Sequence, residues 1–252
     1  MTSSPPPAKQ HALLWTSGWD STFRLLDLLH STDATVQPHY LYSVGRKSVA
    51  LELKAIHEIL LRIAQVPEWK GRVLTPLIRI ADQYRYAGTV YEESLHSILK
   101  RVHLGTQYMY LAIFRDVEKY AGLELSLVKG EGAAYRYLRE WVGPDESGSG
   151  ALVLSKEAPE DVQILFRGYH FPLMYTSKLD MARIAEEKGF SDLLNMSWFC
   201  HSPLDGAPCG TCRPCMVTMR NGLSHRLGEA GLARYHAAQA EEAAKAAAQP
   251  SA

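Results

Sequence analysis

Residues 12–29 read ALLWTSGWDSTFRLLDLL, and the three parts of that stretch set the architecture of the chain. Ala12-Leu13-Leu14-Trp15 is a short apolar run bounded by small polar residues, the pattern of a buried strand. Thr16-Ser17-Gly18-Trp19-Asp20-Ser21-Thr22 is a turn of small and hydroxyl residues. Phe23 to Leu29 is apolar at helical spacing. Strand, tight turn and helix within about 20 residues form the first half of a βαβ unit. Such a turn aims backbone N–H groups and the positive end of a helix dipole at one spot, which favours phosphate or pyrophosphate. The hydroxyls of Thr16, Ser17, Ser21 and Thr22 add donors, and Asp20 could hold a phosphate-bound Mg²⁺. The competing reading is an ordinary capped helix start, with Ser17 or Asp20 as the cap.

Downstream, the alternation continues. Val36 to Ser43 is expected as a second strand, Val49 to Gln65 as an amphipathic helix, and Val73 to Ile80 as a third strand. Asp82 to Ala87 is expected as a loop, Val90 to Val102 as a helix, and Gly105 as the start of a helix rich in aromatics. Those aromatics read as core. Leu123 to Val128 is expected as a fourth strand, followed by Lys129-Gly130-Glu131-Gly132, where glycines after a strand line a ligand crevice or simply turn the chain. Gly143 to Gly150 reads as a mobile loop or internal linker. Val162 to Arg167 is expected as a short strand, Lys178 to Lys188 as a helix ended by Gly189, and Pro214 to Leu227 as a short helix. The tail contains AEEAAKAAA, an exposed helix fraying into its last four residues.

All four cysteines fall in CHSPLDGAPCGTCRPC, as Cys200, Cys209, Cys212 and Cys215. Four soft sulfur ligands at C-x8-C-x2-C-x2-C spacing suit a closed tetrahedral zinc site with no position left for water. Such a metal builds structure and does no chemistry itself. Two disulfides are the alternative, and they need an oxidising compartment that the polar, proline-rich MTSSPPPAKQ start does not suggest. A redox C-x-x-C would leave Cys200 and Cys209 without a role.

The chain has 252 residues, 46% apolar and 10% aromatic, ample for a substantial core. Its 27 basic residues balance 27 acidic ones, which favours neither nucleic acid nor an anionic membrane as partner. No apolar run approaches the roughly 20 residues of a membrane span. A soluble cytoplasmic protein is the expectation.

Strand–TSGWDST–helix at one end and C-x8-C-x2-C-x2-C at the other jointly resemble the 7-cyano-7-deazaguanine synthase family of queuosine biosynthesis. That family belongs to the PP-loop ATP pyrophosphatases, whose phosphate loop reads S-G-G-x-D-S. Tyr42-Ser43-Val44-Gly45-Arg46 resembles its Y-G-Q-R stretch, and Leu104-Gly105-Thr106-Gln107 stands where it has P-G-R-N. Lys129-Gly130 is similar to its strand ending in glycine, Thr176-Ser177-Lys178 to its M-T-K, and Met196 to Cys200 to its T-W-S-C. There are departures. Thr16 replaces the loop's first serine and Ser17 its first glycine, and Thr106 and Gln107 replace Arg and Asn. The family's Y-P-D-C-R segment, associated with recognising the deazaguanine, has no counterpart; the chain after Gly132 reads AAYRYLREWVG.

The resemblance implies an α/β fold with a parallel sheet, helices on both faces (PP-loop, adenine nucleotide alpha hydrolase-like) and a zinc-stapled C-terminal lobe. It divides the chain into a flexible start over 1–10, an ATP-binding domain over 11–190, a zinc lobe over 191–228 and an Ala/Glu-rich tail over 229–252. It implies an ATP-dependent, AMP-forming C–N ligase using ATP with Mg²⁺. The carboxylate of 7-carboxy-7-deazaguanine or a similar molecule attacks the α-phosphate, and ammonia then displaces AMP from the acyl-adenylate. By carry-over, Trp15, Thr16, Ser17, Gly18, Trp19, Asp20, Ser21, Thr22 and Gly130 bind the nucleotide, while Asp20, Ser21, Lys178 and Arg46 serve the reaction. The altered segments leave two alternatives: an adenylating enzyme that joins the acyl group to a protein amine or another nucleophile, and a nucleotide sensor without turnover. Family members are often dimers, so a homodimer is implied.

Overall fold

A computed structural model describes residues 9–84 and 88–247. The fold is mixed α/β, with a seven-stranded, mostly parallel sheet flanked by helices. The strands are β1 (Gln10–Leu14), β2 (Thr35–Tyr42), β3 (Leu77–Ile80), β4 (Leu123–Glu124), β5 (Val142–Pro144), β6 (Leu152–Leu154) and β7 (Tyr169–His170). Their order across the sheet is β3-β2-β1-β4-β7-β6-β5. The five strands from β3 to β7 in this order run parallel, and β6 is antiparallel to both its neighbours, β7 and β5. Among the described residues no helix is long and apolar enough to cross a membrane.

The helices are α1 (Trp19–Ser31), α2 (Val49–Ile63), α3 (Val90–Leu99), α4 (Gln107–Val117), α5 (Gly132–Leu138), α6 (Glu160–Phe166), α7 (Lys178–Glu187), α8 (Ser191–Asn195), α9 (Arg213–Arg220) and α10 (Gly228–Ala247). Strand alternation divides the core between the two faces of the sheet. Leu13, Trp15, Val36 and Tyr40 pack with Phe23, Ile56, Ile59 and Met181, on the side of α1, α2 and α7. Leu14 and Leu41 pack with Leu95, Ile98, Phe114 and Leu165, on the side of α3, α4 and α6. Being covered on both faces explains why consecutive residues are buried in both strands, Leu13 and Leu14 in β1 and Pro38 to Leu41 in β2.

Several expectations are corrected. The sheet is not wholly parallel, because Gly143 to Gly150 is neither linker nor free loop. Gly143 and Pro144 end β5, and the remainder turns the chain back into β6, with Asp145 accepting from Ser147 and Ser149 and its N–H donating to Ala151 O at 2.8 Å. The expected strand at Val162 to Arg167 is the helix α6. Pro159 precedes it, Glu160 and Asp161 fill its first turn, and Val162, Leu165 and Phe166 bury one helical face. Apolar runs this short do not distinguish strand from helix by themselves.

Other boundaries move. The third strand starts only at Leu77, after Pro76, with a single bridge from Val36 to Val73 upstream. The fourth is two residues long, because the chain beyond Leu125 leaves the ladder to build the site. The helix expected from Gly105 starts at Gln107. The one expected over Pro214 to Leu227 stops at Arg220 and resumes, after Gly222 with φ 71°, as a 3₁₀ turn over Ser224–Leu227. Ala81–Tyr84 is also a 3₁₀ turn, and residues 85–87 of the expected loop lie outside the described residues. So do residues 1–8 of the expected flexible start and the last five of the tail, whereas Gln10 already belongs to β1.

Candidate active site and metal centre

Successive strands step outward from β1 on one side (β2, β3), and the chain then returns to its other side as β4. The carboxyl ends of β1 and β4 therefore flank a switch point, where open parallel sheets bind ligands. A cavity of about 460 Å³ opens there, lined by Thr16, Gly18, Trp19 and Asp20 after β1, and Ser126, Leu127 and Val128 after β4. A second chamber of about 330 Å³ shares Thr16, Gly18, Asp20, Arg46 and Ser126 with it and reaches Ser21 and His39.

The loop is built by local constraints. Trp15 donates its indole N–H to Thr22 Oγ1 at 3.0 Å, which ties the strand end to the first turn of α1. Gly18 is the N-cap with φ −68°, and its carbonyl accepts from Thr22 N at 2.9 Å. Ser17 is fully buried with φ 56°, the left-handed region that glycine occupies most easily. Its carbonyl accepts from Trp198 N at 2.9 Å, joining the loop to the segment that leads into the cysteines.

Lys178 enters from the first turn of α7. Ser177 and Asp180 fix that turn as a capping box, each side chain bonding the other's backbone N–H. The Lys178 ammonium lies 3.1 Å from Glu131 Oε2 and 3.6 Å from Asp20 Oδ1. Part of the Asp20 side chain reaches the cavity, but its Oδ1 is enclosed and has no hydrogen-bond partner. Burial raises the Asp20 carboxyl above the ordinary carboxylate value; Lys178 opposes this and Glu131 adds to it. Arg46 lines the cavity yet is engaged by Glu52, 2.7 Å from Nη2, a buried carboxylate that also accepts from Ser48 and Tyr40.

The buried side-chain atoms that make no hydrogen bond concentrate here. Among the described residues they are Ser17 Oγ, Trp19 Nε1, Asp20 Oδ1, His39 Nε2, Ser126 Oγ, Tyr169 OH and Arg226 Nε. All but Tyr169 OH belong to the loop or to a cavity wall. Buried polar groups are nearly always paired, so this concentration suits a polar ligand or ordered water. His39, pushed down to about 4 by burial with help from Arg79, presents a neutral imidazole to the second chamber.

The loop and Lys178 thus converge as the sequence suggests, with Thr16, Gly18, Trp19, Asp20, Lys178 and Arg46 on the main cavity and Ser21 on the second chamber. Trp15 and Thr22 are buried behind them. Gly130 has φ 80° but lines neither chamber; its neighbours Glu131 and Gly132 line the main one. Glu131, Glu52 and Arg226 were not singled out from sequence. Arg226 stands 206 positions beyond Asp20, and no local motif signals it.

The four cysteines are free thiols, and their sulfurs all lie within 4.8 Å of one another. Separations of 3.9 Å for Cys209–Cys215, 3.8 Å for Cys200–Cys212 and 3.5 Å for Cys212–Cys215 compare with the roughly 3.8 Å edge of a tetrahedron with Zn–S of about 2.3 Å. Backbone N–H groups of Cys209 and Cys212 donate to Cys200 Sγ and Cys209 Sγ, both at 3.2 Å, as they would to thiolates. The donors therefore fit a metal ion such as zinc. Gly210 is required beside them: a Cβ there would lie 2.3 Å from Gly231 O of α10. Leu232 and Tyr235 of that helix pack on the cysteine cluster, and Arg234 caps the carbonyls of Pro208 and Cys209.

Compared with known proteins, the chain matches no family model and no curated relative.

Proposed function

We propose that the chain is an ATP-dependent, AMP-forming ligase of the 7-cyano-7-deazaguanine synthase type, built on a PP-loop fold. The observation that carries this reading is the loop Thr16–Thr22. It caps a helix at the sheet's switch point, with Ser17 held in a glycine conformation and unpartnered polar atoms beside the cavity. A helix start of this kind, whose first N–H groups have no partner within the helix, suits a polyphosphate. Asp20 and Glu131 supply hard carboxylate oxygens suited to Mg²⁺. A structural zinc on Cys200, Cys209, Cys212 and Cys215 completes the resemblance.

In the reaction a carboxylate oxygen of the substrate forms a bond to the α-phosphorus of ATP as the bond to the bridging oxygen breaks, releasing pyrophosphate. Ammonia then bonds to the acyl carbon, AMP leaves, and the surplus proton passes to solvent, giving an amide. A second ATP, attacked at its α-phosphorus by the amide oxygen with release of pyrophosphate, followed by loss of AMP and of both N–H protons, would give the nitrile. The loop and Lys178 serve this chemistry by holding the phosphates in line and balancing their charge.

A second reading has the same activation with a different acceptor, such as an amine on a protein. It is favoured by α5, whose Gly132, Ala133 and Ala134 form cavity wall in the region where the family's deazaguanine-recognising segment is missing. The test is incubation with ATP, Mg²⁺, 7-carboxy-7-deazaguanine and ammonium, followed by mass spectrometry. AMP with an amide or nitrile product supports the first reading. AMP formed only with another nucleophile supports the second. ATP binding without pyrophosphate release across many carboxylates and amines would overturn both and leave a sensor.

A further inference from the structure

Arg226 belongs to the 3₁₀ turn Ser224–Leu227, and Leu227 of that turn packs into the cysteine cluster. Its guanidinium carbon lies 4.5 Å from the ring centre of Trp19 and 4.8 Å from that of Phe199. Nη2 donates to Ser197 O at 2.6 Å and to Ser197 Oγ at 2.7 Å, while Nε is buried with no partner. Lys178 and Arg46, also on this cavity, are engaged by carboxylates, and Arg213 is exposed. Arg226 has no carboxylate at ion-pair distance among the described residues; burial pulls it down to about 10, and the more distant Asp20 carboxylate opposes this only in part.

A half-buried guanidinium whose counter-charge is only the more distant Asp20 carboxylate is costly to hold, and ring faces with one carbonyl and one hydroxyl compensate only in part. Its planar fork matches phosphate oxygens, and it is fixed against the loop tryptophan one residue from Asp20. We propose that Arg226 is the phosphate-binding cation of this cavity, delivered by the cysteine lobe across Trp19 to the polyphosphate of a nucleotide held on the loop. The inference rests on the nucleotide reading above and adds a residue from the far end of the chain to it. It also gives the metal lobe a part in ligand binding beyond stapling the fold.

The test is calorimetric titration of the zinc-loaded full chain and its variants with pyrophosphate, ATP–Mg²⁺ and adenosine. Arg226→Gln is expected to weaken pyrophosphate and ATP by about tenfold to a hundredfold, the range for a lost charge-assisted hydrogen bond, with adenosine binding, zinc content and melting temperature little changed. Arg226→Lys, which keeps the charge but not the fork, is expected to fall between wild type and Arg226→Gln. Unaltered pyrophosphate affinity in Arg226→Gln would overturn the inference while leaving the nucleotide reading intact. Parallel loss of adenosine, zinc and melting temperature in both variants would also overturn it, reducing Arg226 to a packing residue. Failure of the wild-type chain to bind either ATP or pyrophosphate would instead remove the nucleotide reading and this inference with it.

Discussion

The backbone N–H of Trp198 donates to the carbonyl of Ser17 at 2.9 Å, so the segment leading into the cysteines is bonded directly to the phosphate-loop candidate. Loop geometry and metal-lobe integrity are thereby coupled.

Metal removal should therefore act on two levels. Chelation, or Cys200→Ser, is expected to lower stability by several kcal/mol, since metal-binding energy is folding energy in such lobes. Nucleotide affinity should fall in step. One zinc per chain by elemental analysis, and parallel losses in melting temperature and ATP binding on chelation, are the expected results. A metal-free protein with unchanged melting would contradict them.

Asp20→Asn should separate stability from turnover. Because burial raises the folded-state carboxyl, its ionisation opposes folding. The stability present below the ordinary carboxylate value is lost as pH rises through the raised one. At neutral pH the Asn variant should be at least as stable as the parent while AMP formation is abolished. Urea unfolding at pH 7 and an AMP assay measure both.

Ser17→Gly should stabilise the fold. It relieves a left-handed backbone, worth roughly 1–2 kcal/mol, and deletes an unpartnered hydroxyl, against a glycine entropy cost of up to about 1 kcal/mol. A raised urea midpoint is expected. Ser17→Val should lower it, because a β-branched residue tolerates that φ least.

Glu124 contributes to acid stability. Burial pushes its carboxyl up, but hydrogen bonds from Arg24 at 2.6 and 2.8 Å and its contact with His11 at 2.7 Å outweigh that and hold it at about 2. A depressed folded-state value stabilises at neutral pH, and this contribution is lost as pH falls from the ordinary carboxylate range towards 2. Glu124→Gln is expected to lower stability at pH 7 by about 3 kcal/mol and to flatten its dependence on pH across that window. Urea midpoints from pH 7 down to pH 2 provide the measurement.

The features legible in the amino-acid sequence are those local to it. The run from Ala12 to Leu29 carries its strand, turn and helix within itself, and the cysteine spacing carries its own chemistry. The helix expected from Lys178, ended by Gly189, likewise places Lys178 at a helix start. What escaped depended on pairing across the chain. Val162 to Phe166 is apolar in a way that suits strand or helix, and only packing against α3 and α4 decides it. Gly143 to Gly150 is turn-like in composition, but its role as a hairpin follows from strands pairing on each side of it. Glu52 carries no local signal within its helix, although Tyr40, Arg46 and Ser48 make it a buried hub.

The stacking of Arg226 on Trp19 has a consequence for the order of folding. Trp19 and Arg226 stand 207 positions apart in the chain. Contacts between residues so distant in sequence form late in folding, after the local strand, turn and helix around Trp19. The last wall of the cavity is therefore set by the metal lobe and not by the sheet, and the site should mature only once the cysteine segment has folded.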